Sequence, residues 1–139
     1  MLVLDANILI RAVLGSRVLS LLRKYEGCVE LYAPDLAFAE AREVLPAIVE
    51  RRGLVLATIL KALDSLSTLV AHRRARVLRA ARIARPATTR PPDPDDWPAL
   101  ASALLLRCPI WTEDTDFFGC GVATWTTQTV ELYLAESIL

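Results

Sequence analysis

Histidine occurs once in this sequence of 139 residues, cysteine three times, and positive and negative charges cancel at 16 each. Each scarcity removes a class of function. The cysteines, Cys28, Cys108 and Cys120, are odd in number and far apart. They build neither a disulfide framework nor a CxxC zinc or redox motif, and they read as small buried hydrophobes in a reducing compartment. His72 has no GxSxG-like nucleophile turn to serve, and a zinc site would need further soft ligands. It reads as an exposed histidine without a role. No apolar run approaches the roughly 20 residues that span a bilayer; stretches such as 103–106 are core-sized. The N-terminal run from Met1 meets an acid at Asp5 and has no basic region, unlike a signal peptide. A cytoplasmic protein with no membrane segment is expected. The balanced charge gives no bulk support to nucleic-acid binding, for which a basic surplus is the usual mark.

What the chain does have is apolar residues, 54% of the total, which excludes general disorder. Its length suits one domain, 1–139, with a single hydrophobic core. The apolar excess suggests that some surface is buried between subunits, so a homodimer is expected. Charge is unevenly spread: Arg73, Arg74, Arg76, Arg79, Arg82, Arg85 and Arg90 crowd one stretch, and acids gather at 93–96 and 113–116.

The run Leu2-Val3-Leu4 predicts a buried strand, and the spacing of Ile8, Leu9, Ala12 and Val13 a helix directly after it. Gly15-Ser16 stops that helix, and Ser16 is placed to cap the next, at about 17–25. A second strand is expected from Val29 to Ala33. Pro34-Asp35 opens a helix to Arg52, where Gly53 terminates it, and Pro46 inside it predicts a kink or early break near Leu45. Apolar spacing from Leu56 to Val70 gives an amphipathic helix over 54–70. Residues 73–85 suggest an arginine-rich helix, with Val77, Ala80, Ala81 and Ala84 as its apolar arc, and 86–94 a proline-rich loop. A helix over 96–107, a strand from Cys108 to Thr112, a strand from Val122 to Trp125 and a closing helix at about 128–138 complete the chain. Apolar strands alternating with helices predict a mainly parallel sheet covered on both faces, a three-layer α/β/α domain. Sites in such sheets form beyond the carboxyl ends of the strands, where Asp5 and Asp114 fall.

Each acid has a plain structural alternative. Asp5 suits a helix N-cap; Asp95 or Asp96, before Trp97-Pro98, suits another; Asp114 and Asp116 suit a turn. Glu40 is harder to explain so, because its i−4 and i+4 neighbours, Leu36 and Val44, predict an apolar stripe on which an ionised carboxylate is costly. Glu43 is left an outer role or solvent. Together the acids would converge at one sheet edge with few local cations, raising one another's pKa values. A hard divalent ion resolves that conflict, and all-oxygen ligands favour Mg²⁺ or Mn²⁺.

In these motifs the sequence resembles the PIN-domain nucleases, a family that includes the VapC-like ribonuclease toxins of toxin–antitoxin pairs. The resemblance runs in family order through Val3-Leu4-Asp5-Ala6-Asn7, Pro34 to Glu40, Asp93 to Ala101, and Thr112-Glu113-Asp114-Thr115-Asp116-Phe117. It implies a metal-dependent endoribonuclease. Asp5, Glu40, Asp96 and Asp114 would hold the metal directly or through water, Asn7 and Thr112 would orient ligands or the scissile phosphate, and Asp116 and Asp93 would serve in an outer shell or at a second ion. Within Asp93-Pro94-Asp95-Asp96, register with the alanine-rich helix favours Asp96 as third ligand, and Asp93 next. Segment 54–90 is longer and more arginine-rich than in the smallest family members, and its arginines between 73 and 90 read as a solvated or subunit-facing helix rather than an RNA groove. Trp97, close to the acids, could stack on a base, although packing is the commoner role.

A non-catalytic PIN fold that binds RNA or protein is the alternative; all four acids are present, which favours the enzyme. A phosphatase or receiver reading fails at Asn7, where the first wants a second Asp, and for want of a lysine at a late strand end. The resemblance also implies a cognate antitoxin and a homodimer as partners beside RNA, and the amphipathic 54–70 helix offers a docking or dimer face.

Overall fold

The shortest elements of the protein carry its architecture. In the computed structural model, which describes residues 1–70 and 97–139, strand β1 (Leu2–Leu4) is buried at every position. It lies between β2 (Leu31–Tyr32) and β3 (Ile110–Trp111), and β4 (Thr124–Trp125) continues the sheet beyond β3. All three pairings are parallel, in the order β2-β1-β3-β4. The register sets Val3 beside Tyr32 and Leu4 beside Trp111.

Side chains alternate across a strand, so among the described residues the buried side chains form two clusters, one on each face of the sheet. Leu2, Leu4, Leu31 and Trp111 join one cluster, with residues of α1 (Ala6–Leu14), α2 (Arg17–Lys24), α3 (Asp35–Arg52), α4 (Leu56–Leu69) and the closing α6 (Val130–Glu136). Val3, Tyr32 and Ile110 join the other, with α5 (Trp97–Leu106) and Phe117. Apolar side chains on both faces are what a parallel sheet requires, and the predicted three-layer α/β/α arrangement is observed.

Several local expectations need correcting. α3 does not break near Leu45 but continues through the exposed Pro46 to Arg52. One missing N–H is tolerated because the stripe Ala37, Ala41, Leu45 and Val49 stays buried along the helix. Gly53 ends it as predicted, in the left-handed conformation at φ 65°. Ser16 makes no side-chain capping bond. The strands are shorter than predicted because their flanks still close the preceding elements: Val29 N–H donates to the Tyr25 carbonyl and Cys108 N–H to that of Ala103. α4 starts at Leu56 because Leu54 N–H donates back to Val49. Its Leu63, Leu66 and partly buried Ile59 and Leu60 enter the chain's own core, so most of the stripe expected to dock a partner is used internally. Cys28 is exposed and Cys108 and Cys120 only partly buried, so none is the fully buried hydrophobe expected. Among the described residues no helix is long and apolar enough to cross a membrane. His72, the arginine-rich segment and the proline-rich loop lie outside the described residues.

The chain leaves β1 toward β2 on one side and returns to it as β3 on the other. The strand order therefore switches direction between β1 and β3, where an open parallel sheet forms a crevice beyond its carboxyl ends.

Candidate active site

Asp5 follows β1 directly and serves as the N-cap of α1, its Oδ1 accepting the Ala6 N–H at 2.8 Å. The capping role and the site role, weighed as alternatives in the sequence, belong to the two oxygens of one carboxylate. Oδ2 accepts from Asn7 Nδ2 at 2.6 Å and from the Thr112 hydroxyl at 2.8 Å. Thr112, just past β3, is only 2% exposed and Asp5 6%. A parallel β1–β3 pair makes this meeting possible across 107 positions of sequence.

Thr112 Oγ1 is the hub. Besides donating to Asp5, it accepts the Asp114 N–H at 3.0 Å and lies 3.1 Å from Asn7 Nδ2. Asn7 Oδ1 accepts the Glu113 N–H at 3.2 Å. Asp114 caps a 3-10 turn, Thr115–Phe117, with Oδ1 accepting the Asp116 N–H at 2.9 Å. The four residues Asp5, Asn7, Thr112 and Asp114 thus form one bonded corner beyond the carboxyl ends of β1 and β3. Asp116 is exposed beside it.

Burial pushes the Asp5 carboxyl above the ordinary aspartate value, and the Asp114 charge adds to that rise. Hydrogen bonds from Thr112, Ala6 and Asn7 oppose it without cancelling it. Neither of the ion pairs Lys24–Glu131 (2.6 Å) and Arg42–Asp64 (2.7 Å) involves Asp5 or Asp114.

Glu40 corrects one expectation. It is half-buried on α3, and its neighbours Leu36 and Val44 are 51% and 39% exposed. The buried stripe of α3 is Ala37, Phe38, Ala41, Leu45 and Val49, so Glu40 does not sit on an apolar face and the cost of burying it gives no reason for a ligand role. Its position remains suitable: α3 starts just beyond the carboxyl end of β2. Asp93, Asp95 and Asp96 lie outside the described residues, immediately before Trp97 at the start of α5.

Among the described residues there is no group of three or more His, Cys, Asp or Glu able to hold a metal. Asp5 and Asp114 bring two of the four predicted acids into electrostatic contact. Their chemistry fits a hard divalent ion: the side-chain donors are oxygens, and the Asp5 carboxylate is buried, where a charge needs a partner.

Two connections were not legible in the sequence. Glu113 Oε1 accepts the Thr127 N–H at 2.7 Å, and Thr127 Oγ1 accepts from Trp111 Nε1 at 3.2 Å. Tyr32, at the end of β2, shares a hydrogen bond with the fully buried Ser102 of α5, whose Oγ donates to the Pro98 carbonyl at 2.7 Å. Burial, reinforced by Asp35, pushes the Tyr32 phenol up. A polar residue at a strand end was the only sequence signal for either link.

No curated protein and no solved structure matches the chain. The family model described as PIN domain matches residues 3–135. That match spans the strand ends bearing Asp5 and Asp114 as well as the parallel sheet that joins them, and the chain belongs to the PIN-domain family of nuclease-type modules.

Proposed function

We propose that this protein is a metal-dependent endoribonuclease that hydrolyses RNA phosphodiester bonds. The observation that carries the reading is the buried Asp5 carboxylate, held by Asn7 and Thr112 and coupled to Asp114 across adjacent parallel strands. The proposed ligands are Asp5, Glu40, Asp96 and Asp114, with Asp116 and Asp93 in the outer shell, and the ion is Mg²⁺ or Mn²⁺. When bound, such an ion lowers the pKa of water and stabilises charge on the attacking and leaving oxygens.

The protein's own groups supply orientation. Thr112 and Asn7 donate to the same Asp5 oxygen, which fixes the carboxylate plane. Asp114 is held by the turn it caps, so both acids are aimed before substrate arrives. No protein nucleophile is required.

A toxin in a VapBC-type pair, working as a homodimer in the cytoplasm with a cognate antitoxin, is the proposed setting. Exposed Leu54 and Val55 between α3 and α4, Leu56 at the start of α4, and Leu36 and Val44 on α3 offer apolar surface for such a partner.

The test is cleavage of a mixed RNA pool with Mg²⁺ or Mn²⁺, then with EDTA, for wild type, Asp5→Asn and Asp114→Asn. Metal-dependent cleavage lost in both variants is the expected result. No cleavage and no metal-induced rise in melting temperature would move the chain to a non-catalytic binding module.

A further inference from the structure

Glu113 stands between Thr112 and Asp114, yet it is not among the proposed ligands. Its bonds run in two directions. Its backbone N–H donates to Asn7 Oδ1 in the first turn of α1, and its carboxylate accepts the Thr127 N–H in the segment after β4. Thr127, itself buried, accepts the indole N–H of Trp111, and Thr112 N–H donates to the Trp125 carbonyl. Residues 111–113 are therefore laced to 125–127 by three bonds, with the site corner on their other side.

This lacing matters because the ladder is short. β3 and β4 pair over two residues each, and β4 is at the end of the sheet order. A ladder so brief gives the loop beyond it little direction, and Thr112 and Asp114 project from that loop.

We infer that Glu113 is a positioning residue: by clamping the Thr127 amide it fixes the backbone at 112–114 and so aims the Thr112 hydroxyl and the Asp114 carboxylate. The Thr127 N–H meets the Glu113 oxygen at 2.7 Å, at the short end of the range for an N–H···O bond. The clamp also accounts for a third acid beside Asp5 and Asp114, where an added negative charge is otherwise unfavourable. Its consequence for metal binding rests on the proposed metallonuclease reading; the clamp itself does not.

The experiment compares full-length wild type with Glu113→Ala, Glu113→Gln and Asp5→Asn. Mn²⁺ is titrated alone and followed by water-proton relaxation, and the Asn7 side-chain amide is followed by ¹⁵N NMR in metal-free protein. Glu113→Ala is expected to weaken Mn²⁺ binding about tenfold or more, the usual cost of losing an outer partner, and to shift the Asn7 amide resonances. Glu113→Gln keeps an oxygen for the Thr127 N–H and should stay close to wild type in both. Glutamine behaving like alanine would overturn the inference, because charge rather than the clamp would then be the contribution. So would an alanine variant that binds Mn²⁺ normally with Asn7 unmoved. Wild type indistinguishable from Asp5→Asn in the Mn²⁺ titration defeats the metallonuclease reading instead, and the Asn7 resonances then decide the clamp by themselves. Should the alanine variant unfold, Glu113→Asp, a methylene short of the Thr127 amide, repeats the comparison.

Discussion

The acids at the strand ends and the acid on α3 are held in different ways. Asp5 is buried and accepts three hydrogen bonds, from its own helix and from the loop after β3. Glu40 is half-buried on a helix whose apolar residues face elsewhere. The first belongs to a network that also joins parts of the fold; the second lies outside the buried stripe of the helix that carries it. Stability should therefore depend more on the Asp5 corner than on Glu40.

Breaking the corner should have the largest effect. Asp114→Asn is expected to lower metal-dependent RNA cleavage beyond the roughly 100-fold that loss of an outer partner costs, measured as kcat/KM on a defined RNA. Thr112→Val keeps the shape but removes the hub hydroxyl from Asp5, Asp114 and Asn7. Bonds to charged groups contribute about 1.5–3 kcal/mol, so urea unfolding should show a loss in that range together with lower activity. Glu40→Gln sharpens the contrast: cleavage should fall, with a smaller stability loss in urea unfolding than Thr112→Val shows, because Glu40 lies outside the buried stripe of α3. An equal stability loss at both positions would remove the distinction.

A pH series separates the regions further. The folded Asp5 pKa is raised above its ordinary 3.8, so between those two values the folded state binds more protons than the unfolded one. Stability of the metal-free protein should fall as pH rises through that window, with the full penalty present above it. Added Mn²⁺ should flatten the slope, and Thr112→Val should steepen it. The smallest effect is expected at the exposed Lys24–Glu131 pair, which joins α2 to α6. There Glu131 is lowered and Lys24 raised, each chiefly by the hydrogen bond to the other. Its small contribution is lost as pH falls through the Glu131 pKa or rises through that of Lys24, and high salt should mask it.

The strands were legible because short apolar runs end abruptly in polar residues, and Asp5, Asn7, Thr112 and Asp114 all stand at such ends. The helices were legible from apolar spacing, and α3 even from its Pro34 entry and Gly53 exit. Glu40 shows where that reasoning stops: the same spacing that finds a helix does not say which stripe faces the core. Leu36 and Val44 are outside it because α3 turns Ala37, Ala41 and Leu45 toward α1 and the sheet.

The sequence by itself determined the alternation of strands and helices, the family motifs and the acids at the strand ends, because those depend on local spacing and on residue types at chain reversals. Tertiary structure alone decided that Asp5 meets Thr112 across 107 positions, that Glu113 reaches Thr127, and that the α4 stripe belongs to the core. Each of these follows from which strands pair and how helices rotate onto the sheet. Such choices are made by the packing of the chain as a whole.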